Sequence, residues 1–288
     1  MNVKQYILYN PLSGNGRGEQ LVRSAKVLQL DRTESELCDL TKIGSYAEFF
    51  ARLAPDDRVV LCGGDGTVNR FANDTKGLKL PKELYYFACG TGNDLMRDLG
   101  LQPGSSLVRL GALLEDLPTV TVGGQPRLFV NNVGFGIDGY CCEEGDRQRE
   151  QHRAKINYTK IAIRGVLGKF RPVGAVVTVD GVPHRYSRVW LAPTMKGRYY
   201  GGGMMPAPAQ DRADGSHAVS VMVMHGGGRL RTLMIFPGVF KGKHIRHKKM
   251  VEVLTGHDIL VEFDRPAPLQ IDGETVSGVR AYHVRTQA

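Results

Sequence analysis

In this 288-residue chain the residues best suited to chemistry are carboxylates and small polar side chains set inside glycine-rich turns. The apolar run Val59-Val60-Leu61-Cys62 stops at Gly63-Gly64-Asp65-Gly66-Thr67, after which Val68 to Asn73 can begin a helix. A buried strand, a glycine turn and a helix start present backbone N–H groups to a phosphate. Glycines without Cβ let the backbone approach closely, and Thr67 can cap the helix or bind an oxygen. A bare carboxylate repels phosphate, so Asp65 points to a Mg²⁺ ion or a water network between the two. The competing reading is a tight strand-to-helix turn in which Asp65 is an ordinary cap.

Two more turns have the same composition. Asn10-Pro11-Leu12-Ser13-Gly14-Asn15-Gly16-Arg17-Gly18 breaks a strand over Gln5 to Tyr9, and Gly90-Thr91-Gly92-Asn93-Asp94 ends the run Leu84 to Cys89. The first is neither GxxxxGK[ST] nor GxGxxG, so alone it reads equally as a connector or a phosphate loop. Near the C-terminus, Asp272 lies in Leu269-Gln270-Ile271-Asp272-Gly273-Glu274. A strand end turning at glycine suits a fixed carboxylate acting as a base, while Asp-Gly is equally a strong hairpin signal. Asp211 and Asp214 are spaced to share a loop metal such as Mg²⁺ or Ca²⁺, or else form a solvated acidic turn. The eight histidines show no HxxxH or HExxH, no GxSxG is present, and no cysteine has a recognisable partner. Zinc hydrolysis and covalent catalysis therefore lack support.

Positioning these groups needs a particular order of elements. Strands over Gln5–Tyr9, Glu34–Leu40, Val59–Cys62 and Leu84–Cys89 alternate with helices over Glu19–Leu30, Tyr46–Leu53, Val68–Asn73 and Leu95–Leu99. Four such units predict a doubly wound parallel sheet, whose ligands sit beyond the carboxyl ends of the strands, where the polar glycine clusters fall. Around Pro118 to Gly124 the pattern changes to strands: Leu128–Val130, Ala175–Val179, Val189–Ala192, Ala218–Met224, Met250–Leu254, Ile259–Phe263 and Tyr282–Val284. A hairpin falls at Asp180-Gly181 and a helix over Arg153–Leu167. The expected fold class is α/β in two domains: an N-terminal doubly wound α/β nucleotide-binding domain over 1–121 and a C-terminal, mainly antiparallel β-sandwich over 122–279. The tail 280–288 is a candidate to rejoin the first domain.

Composition is ordinary for a globular protein, with 42% hydrophobic and 23% charged residues. No apolar stretch is long enough to span a bilayer and the N-terminus runs straight into a strand, so the expected location is the cytoplasm. Five cysteines without a CxxC pair read as buried free thiols in a reducing compartment. A formal charge of +9 implies an anionic partner: nucleic acid, nucleotide or acidic lipid. Lys241-Gly242-Lys243-His244-Ile245-Arg246-His247-Lys248-Lys249 is the densest basic run, either a solvated loop or a contact with anionic lipid. Arg147 to Arg153, Arg164, Lys169 and Arg171 add positive surface. No recognition helix, zinc finger or RNP-like motif supports nucleic acid. Exposed β edges offer a route to a homodimer.

Asn10-Pro11-x-Ser13-Gly14, Gly63-Gly64-Asp65-Gly66-Thr67, Gly90-Thr91-Gly92-Asn93-Asp94 and Asp272-Gly273-Glu274, in that order, resemble the diacylglycerol kinase catalytic-domain family, from about Val3 to Glu274. The length is similar to its soluble bacterial lipid kinases. The resemblance implies an ATP- and Mg²⁺-dependent kinase acting on a lipid hydroxyl, most simply diacylglycerol to phosphatidic acid, in peripheral contact with a membrane. It implies that Asn10, Pro11, Ser13, Gly14, Thr41, Gly63, Gly64, Asp65, Gly66, Thr67, Asn69, Gly90, Thr91, Gly92 and Asn93 hold the nucleotide. Asp65 would orient the catalytic Mg²⁺ through water, Asp272 would be the general base, and Glu274 would stand beside it near the nucleotide. Asp211, Asp214 and the Ser216 carbonyl match a second, structural metal site. Two sites depart from the family: Arg70 follows Asn69 where many relatives carry Glu, and His217-Ala218 replaces Leu-Asp. An NAD kinase-like enzyme shares the Gly-Gly-Asp-Gly loop and β domain, but the Gly-Thr-Gly-Asn-Asp loop and the C-terminal Asp-Gly-Glu speak against it. A nucleotide- or membrane-binding regulator without turnover has only Arg70 and His217 in its favour.

Overall fold

Short apolar runs closed by glycine, asparagine or aspartate become the strands of a parallel sheet in the first part of the chain. The structure, a computed structural model, describes residues 3–24, 34–90, 92–151 and 156–286. The chain divides into two compact units, Met1–Leu117 and Pro118–Ala288.

The first unit runs β1 (Lys4–Tyr9), α1 (Ser13–Gly16), α2 (Gly18–Arg23), β2 (Glu34–Asp39), α3 (Tyr46–Ala51), β3 (Arg58–Gly63), α4 (Asp65–Asp74), β4 (Leu84–Ala88), α5 (Asp94–Asp98), β5 (Val108–Arg109) and α6 (Gly111–Glu115). The strand order is β2-β1-β3-β4-β5, parallel except for the short edge strand β5. Ile7, Val60, Cys62 and Phe87 pack with Val22 of α2 in one cluster. Tyr9 pairs with Asp39 and Cys62, and Gly63 with Ala88, so the strands end together along one edge. The expected helix over Glu19–Leu30 begins as α2, and residues 25–30 of it lie outside the described residues.

The second unit runs β6 (Thr119–Val122), β7 (Gln125–Leu128), β8 (Asn132–Gly136), α7 (Ile137–Glu150), α8 (Tyr158–Arg164), β9 (Val173–Val179), β10 (Val182–Val189), β11 (Leu191–Met195), β12 (Val219–Met224), α9 (Arg229–Ile235), β13 (Val251–Gly256), β14 (Asp258–Ile271) and β15 (Glu274–Arg285). A π turn over Gly165–Lys169 continues α8, and two 3₁₀ turns, Phe236–Lys241 and Lys243–Arg246, follow α9. The sheet is antiparallel, in the order β13-β12-β11-β8-β14-β15-β6-β7, with β10 joined through β9 to β14. β14 pairs with β9 through its first half and with β8 through its last residues, and a register shift divides the two halves. That bend folds the strands over one core, in which Phe135 of β8 stacks on Phe263 of β14 at 4.2 Å.

The boundary falls between Leu117 and Pro118 rather than after residue 121, because β6 belongs to the second sheet. The C-terminal tail does not rejoin the first unit: His283, Val284 and Arg285 pair with Thr121, Val120 and Thr119. α7 and α9 were not expected, and the predicted helix over Arg153–Leu167 is α8 with the π turn, residues 153–155 lying outside the described residues. The five cysteines are free thiols, but only Cys62 is buried. Among the described residues no helix is long and apolar enough to cross a membrane.

Candidate active site

In the first unit the polar turns all leave the carboxyl edge of the sheet. β3 ends at Gly63 and α4 begins at Asp65, so Gly64 alone makes the change from strand to helix. Its carbonyl accepts Thr67 N–H (2.9 Å) and Val68 N–H (3.2 Å), and no side chain caps the helix. Two glycine turns press together here. A Cβ on Gly64 would stand 2.7 Å from Gly92 O, and one on Gly90 would stand 2.4 Å from Gly64 N. Gly63 O accepts both Cys89 N–H and Gly90 N–H at 3.0 Å. Backbone packs on backbone, which only glycine permits. Gly66, in the first turn of α4, differs: nothing lies within 4 Å of where its Cβ would be. That is open room at a helix N-terminus, where an anion is favoured.

Asp65 is 8% exposed and joins the two turns. Its N–H donates to Gly92 O (3.0 Å), its Oδ2 accepts Asp94 N–H (2.7 Å) and its Oδ1 accepts Leu95 N–H (3.4 Å). The ordinary-cap reading is thus realised, with the cap placed on α5 rather than on the helix Asp65 itself begins. Thr67 is not a side-chain cap either. Its Oγ1 lies 3.4 Å from Ser13 Oγ, linking the first turn to the second. Asn10 shapes that first turn: its Oδ1 accepts Leu12 N–H and its carbonyl accepts Ser13 N–H, both at 3.0 Å. Pro11 O accepts Gly18 N–H (3.3 Å), and Gly14 lies within α1.

Asn93 donates to Gly90 O (2.8 Å), and its buried Oδ1 has no protein partner, an acceptor available to a ligand hydroxyl or a water. Beside these turns, at the carboxyl end of β4, a cleft of about 380 Å³ is lined by Ser24, Phe87, Ala88, Cys89, Gly90, Pro103 and Gly104. Two expected residues stand apart. Thr41 lies beyond the outermost strand β2 and donates to Asp39 Oδ1 through its N–H (2.9 Å) and hydroxyl (2.7 Å). Asn69 is buried in α4, where it accepts from Asn73. Thr91 lies outside the described residues. Arg70 is exposed and pairs with Asp74 at 3.5 Å, one turn along α4.

In the second unit Asp272 and Gly273 are the two central residues of the β14–β15 hairpin, with φ of 46° and 89°. Positive φ at both positions is the geometry of a type I′ turn, so the hairpin reading is correct. The carboxylate is placed by the same turn. Asp272 Oδ2 accepts Val130 N–H (2.5 Å), and Oδ1 accepts Asn131 N–H (2.8 Å) and Asn132 N–H (3.0 Å). Asp272 N–H returns a bond to Asn132 O at 2.9 Å. The carbonyl side of this segment is held by Arg212, 8% exposed, whose Nη2 donates to Val130 O (3.1 Å) and Asn131 Oδ1 (3.2 Å). Glu274 is exposed and pairs with Arg127 of β7.

Beneath this turn lies a buried polar group that the sequence reading missed. Asp138, in the first turn of α7, accepts the Tyr200 hydroxyl on Oδ1 at 2.6 Å. Its Oδ2 stands 2.9 Å from where a Cβ on Gly134 would be. Gln270 is directly opposite Gly134 and Asn132 is two residues along β8, so all three share the sheet face covered by α7. Asp138 Oδ2, Asn132 Nδ2 and Gln270 Nε2 are buried without protein partners, two donors and one acceptor of the kind an internal water joins. Burial pushes the Asp138 carboxyl up to about 7, opposed by the Tyr200 hydrogen bond. Lys196, 2% exposed, lies behind the same segment, its N–H on Asn131 O at 2.9 Å. Nothing in the pattern around Lys196 or Arg212 signals burial, because Lys and Arg are ordinarily surface residues.

The second-metal candidates Asp211, Asp214 and Ser216 lie on one loop before β12. Asp211 Oδ1 accepts Ala213 N–H (3.0 Å) and Asp214 Oδ1 accepts Ser216 N–H (2.8 Å), so each carboxylate closes its own turn. His217, at φ 58°, follows Ser216. Among the described residues no group of three acidic, histidine or cysteine side chains is placed to hold a metal.

Residues 4–122 match the diacylglycerol kinase catalytic domain, and residues 131–285 match the YegS C-terminal NAD kinase beta sandwich-like domain. The chain therefore belongs to the diacylglycerol kinase-like lipid kinase family, in the two-domain form that ends in a YegS-type domain. Its relatives are kinases by name. A diacylglycerol kinase of Mycobacterium tuberculosis (strain ATCC 25618 / H37Rv) is 26% identical over 251 residues, covering 83% of this chain and 78% of that protein. Two crystal structures from Bacillus anthracis str. Sterne share the fold. One has a TM-score of 0.68 at 19% identity, covering 99% of this chain and 92% of that one. The other, of a diacylglycerol kinase, has a TM-score of 0.59 at 17% identity, covering 99% and 93%.

Proposed function

We propose that this kinase transfers the γ-phosphate of ATP to the hydroxyl of a lipid alcohol, with diacylglycerol as the first candidate and phosphatidic acid as its product. The observation that carries the nucleotide half is the interlocked pair of glycine turns, which leaves the α4 N-terminus open at Gly66. The lipid half is supported by what the relatives are named for.

Phosphoryl transfer asks a protein mainly for positioning and charge neutralisation. Backbone N–H groups at the start of α4, with the Asn10–Gly14 and Gly90–Asn93 turns, would hold the phosphates. Asn93 Oδ1 accepts from a sugar hydroxyl, and the cleft beside Cys89 is of a size to take part of a nucleoside. Mg²⁺ usually keeps its waters and binds one or two carboxylates plus substrate phosphates. Asp65 and Asp94, both buried and joined by one hydrogen bond, fit that demand. When bound, the ion supplies charge neutralisation on the transferring group. Asp272, held by three backbone N–H groups, takes the proton of the lipid hydroxyl as its oxygen bonds to phosphorus and ADP leaves. Glu274, exposed and paired with Arg127, and the Asp211–Ser216 loop are assigned no part in this reading.

The test is transfer of radiolabelled phosphate from ATP, with Mg²⁺, to diacylglycerol, phosphatidylglycerol, ceramide and a polyprenol in mixed micelles, beside NAD as a soluble acceptor. Label on a lipid supports the reading and names the acceptor. Label on NAD alone overturns it in favour of an NAD kinase-like enzyme. ATP binding without transfer to any acceptor overturns it in favour of a regulator.

A further inference from the structure

We propose that the second unit carries a face for docking onto an anionic phospholipid bilayer, built by α8, the π turn, α9 and the two 3₁₀ turns. Ala162, Val166, Ile235 and Val239 from these elements pack in one core cluster with Trp190 and Met222. Their inner sides meet over one core, so their outer sides form one side of the unit. Arg229 Nη2, on α9, donates to Gly168 O of the π turn at 3.4 Å and ties the two parts together.

That outer side is apolar where a solvated surface would be polar. Leu230 and Met234, one turn apart on α9, are 74% and 75% exposed. Leu167 is 51% exposed, and Ile163, Phe240 and Ile245 are also exposed. Scattered single apolar residues need no explanation, but a concentration on one side marks an interaction surface. The elements that build it carry charge of one sign, while Glu144 of the neighbouring α7 lies near Lys169. Residues 225–250 contain seven Lys or Arg and no Asp or Glu, and residues 156–171 contain four and none. Arg164, Lys169, Arg231, Lys241, Lys243 and Arg246 all stand exposed among the apolar side chains.

This combination fits one occupant. Phosphates of a nucleic acid would satisfy the cations but leave Leu230 and Met234 in water. A bilayer with acidic headgroups takes both, with cations at the phosphates and apolar side chains at the headgroup–acyl boundary. The choice of a bilayer rests on the lipid-kinase reading above, whereas the existence of the face does not. Lys241 to Lys249 is accordingly no plain solvated loop: His244 is fully buried within it, bonded to Pro206 O at 2.8 Å, and that anchor holds the flanking cations outward.

The experiment is co-sedimentation of the full chain with vesicles of phosphatidylcholine alone and of phosphatidylcholine mixed with phosphatidylglycerol, at low and high salt. Wild type is compared with Leu230→Ser/Met234→Ser and with Lys241→Gln/Lys243→Gln/Arg246→Gln, each confirmed folded by circular dichroism. The wild type should bind the acidic vesicles and release them at high salt. Each variant should bind at least about tenfold more weakly. Failure of the wild type to bind acidic vesicles overturns the proposal, as do variants that bind like wild type. A salt-sensitive interaction with duplex DNA in place of vesicles also overturns it. Transfer to a short-chain diacylglycerol in monomeric solution separates the two readings. Its absence in the wild type removes the lipid-kinase reading while vesicle binding still decides the face. Its retention in variants that lose activity on bilayer-embedded substrate supports both.

Discussion

Asp272 has two roles from one backbone conformation. Left-handed φ at Asp272 and Gly273 closes the β14–β15 hairpin and turns the carboxylate onto the Val130–Asn132 amides. Asp tolerates the left-handed region better than most residues because its side chain bonds locally. Replacing it with Asn keeps the turn but faces an amide with backbone donors, so part of the anchoring is lost with the proposed base. Asp138 ties stability to pH. Its carboxyl is raised from 3.8 to about 7, so between those values the unfolded chain has released the proton while the folded chain keeps it. Stability then falls as pH rises through that window and levels off above it. Asp138→Asn removes the term. Thermal melts should show the variant more stable than wild type near pH 8, by up to the order of 4 kcal/mol, with little difference near pH 4. An equal shift at both pH values would mean that Asp138 is not held neutral by burial.

At the scale of elements, the glycines of the two turns divide into crowded and open positions. Gly64→Ala and Gly90→Ala would drive Cβ into the backbone of the opposite turn and should destabilise the first unit by about 2 kcal/mol in denaturant melts. Gly66→Ala meets open space and lies in a helix, so it should raise stability by roughly 0.5–1 kcal/mol while weakening ATP binding in calorimetry. A destabilised Gly66→Ala protein, or one with unchanged ATP affinity, would contradict the phosphate cradle. β1 to β4, β9, β12 and β13 were legible because short apolar runs ended in turn residues, whereas β8 and β10 were not, since Asn132, Gly134 and Gly136 in the one and His184, Arg185 and Arg188 in the other break the apolar pattern. α7 was not, since Asp138, Gly139 and Gly145 are poor helix formers. It is placed by packing: a Cβ on Gly139 would stand 1.8 Å from Pro268 O, and one on Gly145 would meet the Tyr158 ring at 2.8 Å. Such contacts bring together residues distant in sequence, where local pattern is silent. The same holds for Asp65, whose partners lie about thirty residues away on α5. It holds too for Lys196 and Arg212, whose burial depends on a segment sixty or more residues earlier.

At the scale of the molecule, one unit carries the turns proposed to bind phosphate and the other the proposed base, so binding and chemistry should separate in experiment. Mg²⁺ with ATP should raise the melting temperature of wild type and of Asp272→Asn alike, because ligand binding to the folded state stabilises it by mass action. The formal charge of +9 adds a long-range attraction to acidic lipid that salt should screen. The most direct test of the account is steady-state lipid phosphorylation by Asp272→Asn beside wild type, with ATP binding measured on the same preparations. The expected result is a fall in kcat on the order of 10²- to 10⁴-fold with ATP affinity within about twofold of wild type. Turnover close to wild type, or a loss of ATP binding that accounts for the lost activity, would contradict the assignment of Asp272 as the base.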